Sequence, residues 1–231
     1  LNILPFGALL GERRLIEEKT LVELAKTTDF LKISSEEPKP FERAVTFANA
    51  TLDLPGTVEE GKVVRSLFPD SHLFQGGEAN MANLAKFGAQ ADILHLATHG
   101  VWDASDSLQN YLSLSNGERL GQDDIFNLDL SGTSMVTLSA CNTALGDTQD
   151  LGYVSSLAEA FWIAGSRSVV ATLWSVEDNS TSDLMSRFYT ELKQGRSRAQ
   201  ALRDAQRAVM DNPNYKHPYY WSGFILFGDY R

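Results

Sequence analysis

Ile93-Leu94-His95-Leu96-Ala97-Thr98-His99-Gly100 and Met135-Val136-Thr137-Leu138-Ser139-Ala140-Cys141 decide the fold. Each is a short, β-prone apolar run bounded by loop residues, and each therefore reads as a buried strand. Each also ends in a residue capable of acid–base or nucleophilic chemistry. In an open α/β sheet, groups just past the carboxyl ends of neighbouring parallel strands meet in one crevice. The single cysteine and a histidine 42 residues before it then face each other. A thiol beside an imidazole is the minimum apparatus of a cysteine nucleophile.

Strand and helix signals alternate around these two runs. Arg43–Ala48 reads as a strand, and Lys19–Leu24 alternates loosely enough to be another. The segment 34–40 has two prolines and no periodicity and reads as a loop. Helical spacing of Val63, Val64, Leu67 and Phe68 predicts a helix over Val58–Phe68, and Met81, Leu84 and Ala85 predict one over Glu78–Phe87 stopped by Gly88. Tyr111–Ser115 alternates as a strand, and Gly121 opens a short helix ending near Leu128. Val154–Ala164 reads as a buried helix closed by Gly165, and Ser168–Trp174 as the next strand. Helices over Asp178–Leu192 and Ser197–Met210, an aromatic loop at His217–Trp221 and a strand at Phe224–Phe227 complete the chain. This alternation predicts an α/β fold built on a mostly parallel sheet. Without an internal repeat or a linker, residues 1–231 read as one domain.

Composition narrows the function. One cysteine in 231 residues excludes a disulfide framework and multi-cysteine zinc sites. A lone reactive thiol is easiest to keep in a reducing compartment, which predicts a cytoplasmic location. A formal charge of −10 argues against direct nucleic-acid binding by this segment. No apolar run reaches the roughly 18 residues of a membrane span, and no secretory leader is legible. The chain starts at Leu1 and reads as part of a longer protein.

Cys141 is the expected nucleophile and His99 the expected base, which takes the thiol proton and returns it to the leaving amine. The polar, turn-like residues from Asn142 to Gly152 should leave the thiol accessible. His95, inside the apolar run, is expected to be a core histidine. The backbone amides of Gly100 and Cys141 are candidates for an oxyanion hole. Glu177 and Asp178 follow the strand after the cysteine and could accept a basic substrate side chain. Asp178 is equally suited, with Ser175, to cap the helix that follows. His72 and His217 lie in expected loops without a catalytic role, and Asp103 and Asp106 read as loop solvation. Four scattered histidines and one cysteine show no metal-ligand spacing, and no cofactor is implied. Gln75-Gly76-Gly77-Glu78 lacks the lysine of a phosphate loop, which disfavours a nucleotide-binding domain.

His-Leu-Ala-Thr-His-Gly (95–100) and Leu-Ser-Ala-Cys-Asn-Thr (138–143) resemble the CHAT family of caspase- and separase-related proteins. So do Leu4-Pro5-Phe6-Gly7-Ala8-Leu9, Leu120–Ile125, Ala160–Val169, Leu184–Tyr189, Ala201–Gln206 and His217–Trp221, which together span nearly the whole chain. Leu173–Asp178 resembles a separase stretch whose acidic residues help receive the residue before the scissile bond. The resemblance implies a caspase-like, mostly parallel sheet flanked by helices, with a smaller N-terminal strand and helix portion. It also implies a cysteine endopeptidase acting on a protein substrate through His99 and Cys141. Tetratricopeptide repeats are expected N-terminal to such a domain. Some members of the family are partners of type III-E CRISPR effector ribonucleoproteins, in which target RNA binding releases the protease, and others act in cyanobacterial cell differentiation; the resemblance leans to the CRISPR-associated kind. Two departures concern substrate preference. Asn142 stands where many relatives are acidic, so it joins Glu177 and Asp178 as a substrate-binding candidate, and Asp150–Tyr153 replaces a Gly-Glu-Gly loop. The alternative reading is a non-catalytic interaction module on the same scaffold.

Overall fold

The computed structural model describes residues 4–24, 27–35, 37, 39–103, 106, 109–140, 143 and 156–231. Its centre is a six-stranded sheet. In chain order the strands are β1 (Arg43–Ala48), β2 (Asp70–Gln75), β3 (Ile93–Ala97), β7 (Met135–Leu138), β8 (Ser168–Thr172) and β9 (Phe224–Gly228). Across the sheet the order is β2-β1-β3-β7-β8-β9. The first five are parallel and β9 pairs antiparallel with β8. A second, antiparallel sheet of β4 (Gly100–Val101), β5 (Tyr111–Ser113) and β6 (Arg119–Gly121) follows β3.

Strands β3, β7 and β8 are buried along their whole length. That is why their sequences are continuous apolar runs rather than alternations. Their side chains divide strictly by parity. Leu94, Leu96, Val136, Leu138, Val169 and Ala171 join one core cluster. That face is covered by α4 (Met81–Phe87), α5 (Gln122–Phe126) and α6 (Leu157–Ile163). Ile93, Met135 and Val170 point the other way, towards α3 (Pro55–Leu67), α7 (Asp178–Lys193) and α8 (Arg198–Asp211). Each fully buried Leu or Phe in these layers contributes about 1.5–3 kcal/mol of transfer free energy.

Local chemistry sets the ends of these helices. Pro55 opens α3, where its missing N–H has no partner to lose. Asn80 accepts the Asn83 N–H ahead of α4, and Ser156 accepts the Glu159 N–H ahead of α6. Ser197 and Gln200 form a reciprocal capping box on α8. The mostly parallel α/β architecture matches the sequence reading, and so do β1, β3, β5, β7, β8, β9 and α3 to α8.

Several elements differ from it. Lys19–Leu24 is not a strand. Glu23 alone bridges β9, donating its N–H to Leu226 O at 2.8 Å and accepting from Gly228 N at 2.9 Å. Leu21, Val22 and Leu24 line a groove against β9 instead of extending the ladder. The short helix α1 (Leu15–Glu18) and helix α2 (Thr27–Ser35) were not foreseen, and α2 takes the first two residues of the expected 34–40 loop. Nor was β2, whose Asp70, Ser71 and Gln75 are weak strand formers. It pairs with β1 alone and leaves a polar edge, as sheet borders commonly do. His72 therefore lies on a strand rather than in a loop, stacked at 5.0 Å on Phe87. The start of the helix expected at Val154 lies outside the described residues.

Gly165 ends α6 at φ +114°, and a Cβ there would stand 2.8 Å from the Ser131 backbone nitrogen. Gly165→Ala combines a disfavoured backbone with a backbone clash. We expect it to lower unfolding stability by about 1–3 kcal/mol, read by denaturant titration. A variant as stable as the parent would show that the turn relaxes freely.

Candidate active site

The parallel strands all end at one edge, and the chain changes its winding direction between β1 and β3. From β1 it moves outward to β2, then returns to place β3 on the other side. Loops leaving such adjacent strands diverge and open a crevice, the usual ligand position in α/β sheets. The loop after β1 brings Asp53 to this point, and the end of β3 brings His99. His99 Nε2 lies 3.0 Å from both Asp53 carboxylate oxygens.

Sequence reasoning did not find Asp53, because no motif links an aspartate 46 residues upstream to the histidine. Its loop is tightly specified. Asn49 and Leu52 both have positive φ, at 47° and 68°, a conformation that is uncommon outside glycine. The Asn49 side chain accepts the Leu54 N–H at 2.8 Å. Thr51 Oγ1 donates to Asp53, and this bond, followed by the one to His99, holds the Asp53 carboxyl below its ordinary carboxylate range. Both partners are substantially exposed, with the Asp53 side chain at 61% and His99 at 37%. The contact therefore orients the ring more than it stabilises the fold.

His95 is fully buried, as expected of a core histidine, and has two side-chain partners. Its Nδ1 lies 2.9 Å from Tyr189 Oη on α7, and its Nε2 lies 3.2 Å from Glu60 Oε2 on α3. Tyr189 donates to Thr137 Oγ1 at 2.8 Å. His95 and Thr137 share the sheet face that α3 and α7 cover, so strand parity places them together. Burial pushes the Tyr189 phenol far above its usual range, so it stays neutral and donates. With that donation fixed, its oxygen accepts from His95 Nδ1–H.

Beside His99 lies a cavity of about 160 Å³, bordered among others by Thr57, Glu60, Ser139, Ala140, Trp174 and Asp178. Ala140 is pinned there: its carbonyl accepts from the Thr172 hydroxyl and, at 3.4 Å, from Thr143 Oγ1. Thr143 Oγ1 also accepts the Thr172 N–H at 3.1 Å. The chain is thus anchored on both sides of Cys141 and Asn142, which themselves lie outside the described residues, as does the loop 144–155. Gly100 is the first residue of β4, opposite Leu112.

The acidic pair separates. Glu177, not Asp178, caps α7: its carboxylate accepts the Ser180 N–H at 2.8 Å and the Asn179 side chain at 2.6 Å. Burial raises its carboxyl, but these donors outweigh it and hold it below the ordinary value. Asp178 begins the helix, borders the cavity and accepts the Gly56 N–H at 3.0 Å. Ser175, the other expected cap, accepts the Tyr219 hydroxyl through its carbonyl at 2.7 Å. Trp174 Nε1 donates to Tyr219 O at 3.0 Å. Gly223 permits this packing, since a Cβ there would stand 2.9 Å from the Trp174 ring. The aromatic loop is therefore a brace for the cavity wall. His217 accepts the Tyr219 N–H through Nδ1 and the Tyr220 N–H through its carbonyl. Among the described residues no three His, Cys, Asp or Glu side chains gather as a metal set, and no helix is long and apolar enough to cross a membrane.

The architecture recurs in cysteine peptidases. The RgpB gingipain of Porphyromonas gingivalis, seen as a complex of pro- and mature domains, superposes with a TM-score of 0.64 at 11% identity over 88% of this chain and 52% of that one. The Arg-specific cysteine proteinase gingipain R gives 0.65 at 12% identity over 89% and 53%. Separase from Saccharomyces cerevisiae, in complex with securin, gives 0.67 at 13% identity over 98% and 14%. The chain thus spans about half of the gingipain chains and a seventh of separase, and it shares with them a caspase-like α/β fold. The CHAT domain model matches residues 1–229, and the chain belongs to that family. No curated protein matches it in sequence.

Two outcomes test the site. Thr51→Val removes the largest cause of the lowered Asp53 value. Asp53 pairs with His99 as a carboxylate at neutral pH, and that pairing is lost as pH falls through its depressed value. The variant should move the loss to higher pH, read as the carboxyl-carbon NMR titration of Asp53; an unmoved midpoint refutes the assignment. Tyr189→Phe leaves His95 Nδ1 without its partner and should cost about 1–3 kcal/mol in unfolding free energy. Stability within about 0.5 kcal/mol of the parent would show that the buried chain of bonds carries little.

Proposed function

We propose that this domain is a cysteine endopeptidase in which Cys141 is the nucleophile, His99 the base and Asp53 the residue that orients the imidazole. The observation that carries this reading is that His99 and Ala140, the residue before Cys141, border one cavity at the carboxyl edge of the sheet. The CHAT membership and the caspase-like fold support it.

With Asp53 on Nε2, the free Nδ1 of His99 takes the thiol proton. The thiolate attacks the peptide carbonyl, and the backbone N–H groups of Gly100 and Cys141 receive the developing oxyanion. The imidazolium then protonates the departing amine and leaves a thioester on Cys141. A water molecule, deprotonated by His99, hydrolyses the thioester and restores the thiol. A substrate side chain enters the cavity, with Asp178 on its wall, and Asn142 is kept from the sequence as a further substrate-binding candidate. Repeats N-terminal to this segment, or a CRISPR effector ribonucleoprotein, restrain the activity until a signal arrives.

Cys141→Ala should abolish cleavage of a protein substrate, read as new N-termini in a treated proteome, with an unchanged unfolding curve. Unaltered turnover in that variant removes the proposal. Asp53→Ala should lower kcat roughly a hundredfold through loss of ring orientation, with little change in KM. A change confined to KM would assign Asp53 to substrate binding instead.

A further inference from the structure

We infer that a cavity at the amino edge of the sheet binds a small, multiply charged phosphate anion. It lies at the opposite edge from His99 and is independent of the peptidase reading. Four stretches of chain meet there. Lys39–Phe41 leads into β1, Phe68 follows α3, the turn from Lys193 to Gln200 joins α7 to α8, and Tyr230 and Arg231 follow β9, which runs back to this edge. They border a volume of about 670 Å³, the size of a small-molecule site.

The chain carries a formal charge of −10, yet this cavity reverses the sign. Lys39, Lys193, Arg196, Arg198 and Arg231 border it, and among the described residues no Asp or Glu does. Asp229, outside the lining, lies 3.1 Å from Arg231 and 3.6 Å from Arg198 and also meets Arg167 at 3.2 Å. Arg196 reaches Glu191 only at 3.6 Å. Among the described residues Lys39 and Lys193 form no ion pair, and the Lys193 ammonium lies 5.2 Å over the Phe68 ring. Arg198 is buried and fixed. It donates to Arg231 O and, at 3.3 Å, to Ser134 O, with its guanidinium 5.0 Å over Phe41. Its Nε has no partner among the described residues, so the fold's own acceptors do not use up this group. Burial pulls the guanidinium down to about 10; Asp229 opposes this, and like charge on Arg167 and Arg231 adds to it. A bound anion would relieve that crowding of like charge.

Geometry decides among anions. The bordering segments are loops and helix ends, and among the described residues none offers an open strand edge, so an acidic peptide finds no ladder to join. RNA would run past the cluster into the field of a net acidic chain. A compact phosphate concentrates its charge and its acceptor oxygens where ammonium and guanidinium groups converge. The first turn of α8 adds little. Its Ala199 N–H is spent on Tyr230 O and its Gln200 N–H on Ser197 Oγ, so recognition rests on the side chains.

The experiment is titration calorimetry of the chain with sodium tripolyphosphate at physiological ionic strength, where loose surface attraction is screened. Saturable binding at a single site is expected. Combining Lys39→Gln with Lys193→Gln, both at exposed positions, should weaken it by about tenfold and leave the unfolding curve unchanged. Lys86→Gln on α4, which covers the other face of the sheet, should leave the affinity as it was. Hexaglutamate and a single-stranded RNA, titrated in the same way, should bind at least about tenfold more weakly. Absence of tripolyphosphate binding overturns the inference, as does an unmoved affinity in the double variant or an equal loss in Lys86→Gln. Hexaglutamate or RNA binding as tightly as tripolyphosphate overturns the choice of ligand and assigns the cavity to an acidic peptide or to nucleic acid.

Discussion

The pairing of β1 with β3 is the contact on which the site depends. Both strands are buried on both faces and hydrogen-bonded on both sides, so neither can slide. A slip of one residue would exchange every inward side chain for its neighbour. On β3 that register turns His95 towards α3 and α7, and it ends the strand so that His99 emerges beside the β1 loop. The reversal of winding at this same pair keeps the two loops from closing over each other. One strand pairing therefore fixes which histidine is structural and which is available for chemistry.

Four carboxylates near this edge show how neighbours assign roles to one residue type. Asp53 is exposed, held ionised by Thr51 and turned to His99. Glu177 is partly buried and satisfied by the first turn of α7. Asp178, one residue later, ties α7 to the start of α3 through Gly56. Glu60 is buried, engaged on one oxygen by His95 and, among the described residues, unpaired on the other. Beyond side-chain length, these differences lie in the surroundings. Each follows from the donors that a loop, a helix end or a strand happens to bring within reach.

The central fold was legible because buried parallel strands carry an unusually plain signal. Uninterrupted β-prone runs such as Ile93–Ala97 admit few other readings, and the helices between them carry capping residues. Edge elements were not legible. β2 is half polar because one side faces water, and Lys19–Leu24 imitates a strand whose partner offers a single bridge. The chemistry divides in the same way. His99 could be read from its place at a strand end. Asp53 and Glu60 could not, because each acquires its role from a partner across the fold. The Glu177 cap was missed because serine and aspartate are the commoner capping types, whereas here the carboxylate reaching the Ser180 N–H belongs to the longer side chain.

The brace between Trp174 and the Tyr219 loop has a temporal consequence. Trp174 donates to a carbonyl 45 residues further along the chain, so a ribosome must deliver the last portion of the domain before that wall can set. Strands β1, β3, β7 and β8 leave the exit tunnel earlier and can already have condensed. A molecule still being translated thus carries an unfinished wall beside His99, and the cavity takes its final shape only after Tyr219 has been delivered.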